Sequence, residues 1–406
     1  MIKEEIKDIV SILKNKDRAH LARVIEENWN KTCLEYSKEL NSWKPDKPVE
    51  PELLDAFTEE LKRLEFDKAS QEKIISSVEK RRILQTAPHL VITEGPKMFC
   101  INWLGSLSVS EKEFYIVGAF SGNPFSNITH PGRIQTKNGE INLIPSKMQN
   151  ALVYRSKIPQ QLLEKVQELP ERLKNLLPRA LPESSFTKWA LESCQKIEKQ
   201  ALGKENIVYL DINEVVALYL VKVLQNSPHI FHKIFFHNET RKKFIKAFPD
   251  EIMFYAPVVN GKYKEMENFI LSEKNLKSKH REIPLENPEI LINEIKNGKL
   301  CPALVLVFTA LSFLNRFKCL GSFAQVEYLP HYQKKLALLP FMKTFDIETV
   351  PTSSLTVGIF PNDINIFPVD LAIENKKLKQ DGNMLFGELV INIKDRLISS
   401  YLKVKK

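Results

Sequence analysis

Residues 85–133 read QTAPHLVITEGPKMFCINWLGSLSVSEKEFYIVGAFSGNPFSNITHPGR, and this stretch decides the fold class. Two apolar runs, HLVIT and FYIVGAF, are rich in strand formers, and each leads into a polar loop. Continuous apolar runs of this length, bounded by loops, suit strands buried on both faces of a parallel sheet. The interval between them fits a right-handed crossover, so the two runs are expected to be neighbouring strands. The alternation continues outward. EINLIP near 140–145, residues 207–210 and EIMFYAPVV also read as strands, and helical patterns lie between them. The expected class is α/β: a Rossmann-like, largely parallel sheet flanked by helices, with a helical N-terminal arm.

That arm covers residues 1–84. Ile2, Ile6, Ile9, Val10 and Leu13 recur at helical spacing, and a second helix is expected from about Asp17 to Leu40. SWKPDKPVEP then reads as a connector, followed by helices near 52–64 and 68–84. Residues 85–406 form the expected α/β core, with a helical insertion near 157–205. Further helices are expected at 213–225, 229–246, 287–297 and 302–314, the last one apolar and buried. The polar segment from Lys262 to Ile283 has no clear period, and a final helix starts near Ile393.

Composition narrows the class. The chain has 406 residues and a formal charge of +9, from 59 basic and 50 acidic residues. The excess is spread out, apart from short runs at Arg241-Lys242-Lys243 and in a basic tail at Lys403, Lys405 and Lys406. No module interleaves basic and aromatic residues, so nucleic acid is not an expected partner. No apolar run reaches the roughly 18 residues of a spanning helix, so no membrane partner is expected either. Cys33, Cys100, Cys194, Cys301 and Cys319 are scattered, which suits reduced thiols and a cytoplasmic location.

Loops at the ends of strands are where α/β proteins bind ligands. The first run and its flanks carry Thr86, His89, Thr93 and Glu94, with His89 at the start of the run. His89 suits a general base or ligand-binding imidazole, or a polar cap where loop meets core. The second loop carries Asn123, Ser126, Asn127, His130 and Arg133. Its amides either bind a polar ligand or close Asx turns, and Arg133 offers a planar fork for a carboxylate or phosphate. A later cluster, LGSFAQVEYLPHYQ at 320–333, holds Gly321, Gln325, Glu327, Tyr328, His331 and Gln333. Its glycine permits close approach of a ligand, and Glu327 suits a base or an amine partner. An amphipathic helix start with a solvated face would account for the same cluster without a ligand. His229, His232 and His237 would need a further ligand such as Glu239 to hold zinc, and the neighbouring Phe231, Phe235 and Phe236 favour packing, so no metal is expected. No GxGxxG, Walker loop, GxSxG or HExxH is present, and no cofactor is named by the sequence.

Together, Thr93-Glu94-Gly95-Pro96, the buried helix after Pro302, Leu320-Gly321 and Glu327-Tyr328 resemble the bacillithiol-forming cysteine ligase family. The likeness covers about a third of the chain, and Thr-Glu stands where that family has a Gly-Gln or His-Gln signature. The resemblance implies a Rossmann-like core and pocket positions at Gly95, Pro96, Gly321, Glu327 and Tyr328. The expected function is that of a ligase- or transferase-type enzyme acting on a small polar, anionic or amino-acid-like metabolite. Glu94, His89, His130 and Glu327 are the expected catalytic groups. Thr93, Gly95, Asn123, Asn127, Arg133, Gly321, Gln325, Tyr328 and His331 are the expected substrate contacts. The alternative is a non-catalytic binding or partner protein whose arm docks another subunit, with a homo-oligomer among the options.

Overall fold

The computed structural model describes residues 2–361 and 366–399, so the basic tail at 403–406 lies outside the described residues. In chain order the strands are β1 (Ile83–Gln85), β2 (Tyr115–Ala119), the hairpin β3 (Arg133–Thr136) and β4 (Gly139–Asn142), and β5 (Ile207–Asp211). An antiparallel set comes next: β6 (Ile252–Asn260), β7 (Tyr263–Leu271), β8 (Asn275–Lys277), β9 (Glu282–Pro284) and β10 (Cys301–Pro302). The last is β11 (Lys318–Leu320).

Five helices precede β1: α1 (Ile2–Asn15), α2 (Ala19–Asn28), α3 (Cys33–Leu40), α4 (Pro51–Arg63) and α5 (Lys68–Arg81). α6 (Pro96–Ser106) joins β1 to β2. α7 (Gln160–Gln167), α8 (Glu171–Lys174) and α9 (Phe186–Leu202) form the helical stretch expected near 157–205. After β5 come α10 (Ile212–Val223), α11 (Ile230–Phe236) and α12 (Asn238–Ala247). α13 (Pro288–Lys296) and α14 (Leu304–Phe308) bracket β10. α15 (Gln325–Ala337) succeeds β11, and α16 (Pro368–Ile373), α17 (Phe386–Ile391) and α18 (Lys394–Ser399) end the described chain.

β1, β2, β5 and β11 make one parallel sheet in the order β11-β1-β2-β5. Helices flank it, as the sequence pattern requires. α6 and α9 cover one face, where Tyr209 of β5 is bonded to Asn102 of α6. Gly105 of α6 lies so close to Tyr115 of β2 that an added Cβ would meet the phenol oxygen at 2.1 Å. The chain leaves β1 toward β2 and β5, then returns to place β11 on the other side of β1. Strand order therefore reverses between β1 and β11, and such a reversal opens a crevice at the carboxyl ends of the strands.

Several expectations need correction. HLVIT is not a strand. The strand at this point is Ile83–Gln85, and the run after it is buried loop held to the end of β2 by Leu90 N–H to the Phe120 carbonyl (2.8 Å). Pro88 has no N–H to extend a ladder, and the Gln85 side chain accepts the Ala87 N–H at 3.1 Å. The parallel sheet is also only part of the strand content, because β10-β6-β7-β8-β9 form a separate antiparallel sheet. β7 reads as polar because much of it is solvated, which hides its period. The single helix expected over 17–40 is two helices. Thr32 and Glu35 form a capping box that starts α3 afresh. The helix expected over 229–246 is likewise broken, with His229 and His237 capping α11 and α12 through their Nδ1 atoms.

The expected boundary at residue 84 falls inside β1, and the first five helices are tied to later parts of the chain. Tyr36 donates to the Leu355 carbonyl at 2.7 Å, and Trp43 donates to the Arg316 carbonyl at 2.8 Å. A contiguous apolar core runs from Ile6 to Leu397. Among the described residues, no helix is long and apolar enough to cross a membrane.

Candidate functional site

A cavity of about 650 Å³ opens where the crevice between β1 and β11 is expected. Four chain segments build it. The loop after β1 supplies His89 and Glu94, and the start of α6 supplies Gly95, Pro96 and Lys97. The loop after β2 and its hairpin supply Ile128, Thr129, Gln135 and Glu140, and the loop after β11 supplies Phe323. Phe367 and Arg396 close the far side. Thr93 Oγ1 accepts the Gln135 N–H at 2.9 Å, which pins the hairpin over the cavity. Gly95 makes the close approach possible, since a Cβ there would sit 2.7 Å from the Gln135 amide oxygen.

Glu94 is the most unusual group in the cavity wall. It is 2% exposed, and its Oε1 has no hydrogen-bond partner. Burial, and then the neighbouring charge of Glu198, raise its pKa well above the ordinary carboxyl range. Glu198 of α9 is also fully buried and is pushed to about 8, chiefly by burial. Asn102 donates to both of its oxygens, at 3.2 and 3.1 Å, and to Tyr209 at 2.8 Å. At neutral pH this arrangement holds Glu94 protonated, as an acid with a proton to give.

His89 is the opposite case. Its Nδ1 is enclosed without a partner, and burial lowers its pKa to about 4, although Asn123 opposes the shift. The imidazole is therefore neutral at pH 7. Lys97 is half-buried over the Phe323 ring, with Nζ 4.0 Å from the centroid. Burial, and then the charge of Arg396, bring its pKa down to about 7.

The structure brings His89, Glu94 and Gly95 to this cavity, with Thr93 directly behind it. Asn123 is buried beside His89 and its Oδ1 is unpartnered. Asn127 closes an Asx turn, accepting from the Thr129 N–H at 3.0 Å and hydroxyl at 2.8 Å. Arg133 is engaged by Glu140 at 2.6 Å, and His130 approaches the same carboxylate at 3.7 Å. One arm of the Arg133 guanidinium is thus engaged within the hairpin.

The cluster at 320–333 divides. Phe323 faces the cavity, but Glu327 and His331 line a separate one of about 890 Å³ with His20 and Lys334. Glu327 accepts the Leu21 N–H at 2.8 Å, and so serves the first turn of α2, where Arg18 provides no side-chain cap. Gln325 is buried and bonds Thr86 and the Cys319 carbonyl. Gly321 is backed by that same Gln325 side chain. Tyr328 packs against Phe308 and Tyr332, with centroids 5.7 and 5.6 Å away. Among the described residues, no group of three His, Cys, Asp or Glu is placed to hold a metal ion.

A second polar network lies at the carboxyl end of β5, outside the clusters that the sequence singles out. Asp211 accepts from the Ser121 hydroxyl at 2.8 Å and caps α10. Asn213 Oδ1 accepts the Ser121 and Gly122 N–H groups, and Glu214 pairs with Arg155 through both oxygens. A signal for it exists: LDINE ends an apolar strand with an N-cap residue at a helix start. Lys97 and Phe323 are also absent from the expected site, since each looks like an ordinary residue beside a glycine turn.

Burial, and then the charge of Glu60, raise the Asp211 pKa to about 7. A raised carboxyl pKa gives stability that is complete below about pH 4 and is lost as pH rises to about 7. A shift of that size corresponds to roughly 4 kcal/mol. Asp211→Asn keeps the accepting oxygen and should flatten this part of the profile. Urea unfolding from pH 4.5 to 8 measures it, and parallel profiles for parent and variant would refute the assignment.

No protein-family model matches the chain, and no curated protein matches it.

Proposed function

We propose that this protein is a ligase- or transferase-type enzyme with a Rossmann-like core, and that its substrate is a small polar metabolite, anionic or amino-acid-like. The observation that carries this reading is Glu94. It is a buried, protonated carboxyl with an unpartnered oxygen, in the wall of a cavity where the strand order reverses. Unsatisfied buried polar atoms are costly, and they persist where a ligand or a chemical step uses them.

The other groups have complementary roles. Glu94 donates a proton, while neutral His89 offers its imidazole to hold the substrate by hydrogen bonds, the two groups being set apart by their surroundings. The first turn of α6 and Arg396 provide positive potential for an anionic group. The resemblance of the Gly95-Pro96 pair to the bacillithiol-forming cysteine ligase family agrees with an amino-acid-like substrate, although Thr93-Glu94 departs from the family's signature. The five described cysteines are free and buried, which suits a reducing, cytoplasmic setting.

A thermal-shift screen of small metabolites tests the reading. A ligand at a hundred times its Kd should stabilise the protein by about 2.7 kcal/mol. The shift should weaken in Glu94→Gln and in His89→Ala. If no metabolite stabilises the protein, or if both variants respond like the parent, the reading fails.

A further inference from the structure

Lys97 is the one cation in the described wall of the Glu94 cavity that is placed at the start of a helix. It occupies the first turn of α6, directly after Gly95 and Pro96, where the positive end of the helix dipole disfavours an ammonium. Among the described residues, its Nζ has no hydrogen bond and no ion pair, and it rests on the Phe323 ring at 4.0 Å. Lysines desolvated beside another cation are a known route to an amine nucleophile. The remaining charged or titratable groups of the cavity wall are His89, Glu94, Lys137, Glu140 and Arg396. Lys137 is paired with Glu374 and Glu140 with Arg133, and Glu94 is the acid of the wall without an ion-pair partner among the described residues.

We propose that Lys97 is a covalent nucleophile that forms an imine with a carboxylate-bearing aldehyde or α-keto acid bound in this cavity. The Nζ lone pair attacks the carbonyl carbon, and the carbonyl oxygen takes the Glu94 proton. The nitrogen then returns a proton to the Glu94 carboxylate, which leaves a neutral carbinolamine. Glu94 protonates the hydroxyl, water departs, and the nitrogen lone pair closes the C=N bond. The resulting iminium gives its N–H proton back to Glu94. The net change is amine plus carbonyl to imine plus water, with no oxidant or reductant. Arg396 is the group that would hold the substrate carboxylate, and Phe323 and Ile359 provide the apolar part of the wall beside the amine. This inference goes beyond the group-transfer reading and does not depend on it.

The test is reductive trapping on the full chain with glyoxylate and sodium cyanoborohydride at pH 7, followed by peptide mass mapping. A surface lysine has about one part in 10³ free base at that pH, whereas an amine with a pKa near 7 is about half free base. Lys97 should therefore acquire a carboxymethyl group at least about tenfold faster than the average lysine. The pH profile of its labelling should have a midpoint near 7. Glu94→Gln should slow trapping at Lys97, and Arg396→Ala should erase its preference for glyoxylate over acetaldehyde. Melting curves establish that both variants are folded. Labelling of Lys97 no faster than that of surface lysines in the folded parent, or a midpoint near 10, overturns the proposal. A metabolite that stabilises the protein while Lys97 stays unreactive would leave the group-transfer reading intact and refute this one.

Discussion

Replacing Arg63 with methionine should cost about 3–5 kcal/mol of folding stability, the scale of a buried charge left without its partner. Arg63 forks onto both oxygens of Glu60, at 2.6 and 2.7 Å, and Glu60 is fully buried. Glu60 also accepts the Asp211 N–H at 3.1 Å, so the pair connects α4 to the end of β5. Burial raises the Glu60 pKa, Arg63 opposes that rise, and the charge of Glu214 adds to it. Without the guanidinium the folded protein must hold Glu60 protonated or leave it charged and uncompensated. A carboxyl with a raised pKa supports folding fully at low pH and loses that support as pH rises. The deficit of the variant should therefore shrink between pH 7.5 and pH 5. Urea unfolding at the two values measures both effects. A variant within 1 kcal/mol of the parent at pH 7.5 would show that the network contributes little.

The same network marks the limit of what the sequence reveals. FYIVGAF and IVYLD are apolar, rich in strand formers and buried throughout, and both are strands of the parallel sheet. ILQ is just as buried but only three residues long, so the longer apolar run beside it has the stronger strand signal. Length misleads in the helices as well, because caps divide a helix without interrupting its apolar period. Thr32 and His237 do this through local side-chain bonds to Glu35 and Thr240. The hairpin ribbon of β6 and β7 is half legible. EIMFYAPVV is apolar where it meets the core, whereas its partner strand begins in solvent.

For the site, chemistry is legible in the sequence but direction is not. Glu94 and His89 flank an apolar run, and that setting is enough to single them out even though the run is buried loop and not strand. Arg133 and Glu327 have equally suitable groups, yet one is engaged by a glutamate across its hairpin and the other turns to a helix terminus. Both partners are set by tertiary contacts that no local pattern records. Glu198 and Asn102 lie about a hundred residues apart on helices that look purely structural. Only the packing of α9 against α6 makes them neighbours of Glu94.

That neighbourhood gives the second large expectation. On a substrate found by the metabolite screen, Glu94→Gln should lower kcat by about 10²–10⁴-fold, the usual contribution of a positioned general acid. Glutamine has nearly the same shape and is neutral, as the protonated acid is, so the melting temperature should hold or rise. KM should change little, because the amide can still donate a hydrogen bond but cannot surrender a proton. The pH profile separates this role from a purely structural one. A general acid works while protonated, so activity should be present at low and neutral pH and fall as pH rises through the raised pKa. Glu198→Gln removes the negative charge that helps to keep Glu94 protonated. Its basic limb should move to lower pH while the acid itself remains. Retention of kcat within threefold in Glu94→Gln would show that Glu94 is only a buried acid, and the same basic limb in Glu198→Gln as in the parent would sever the link between the two carboxyls.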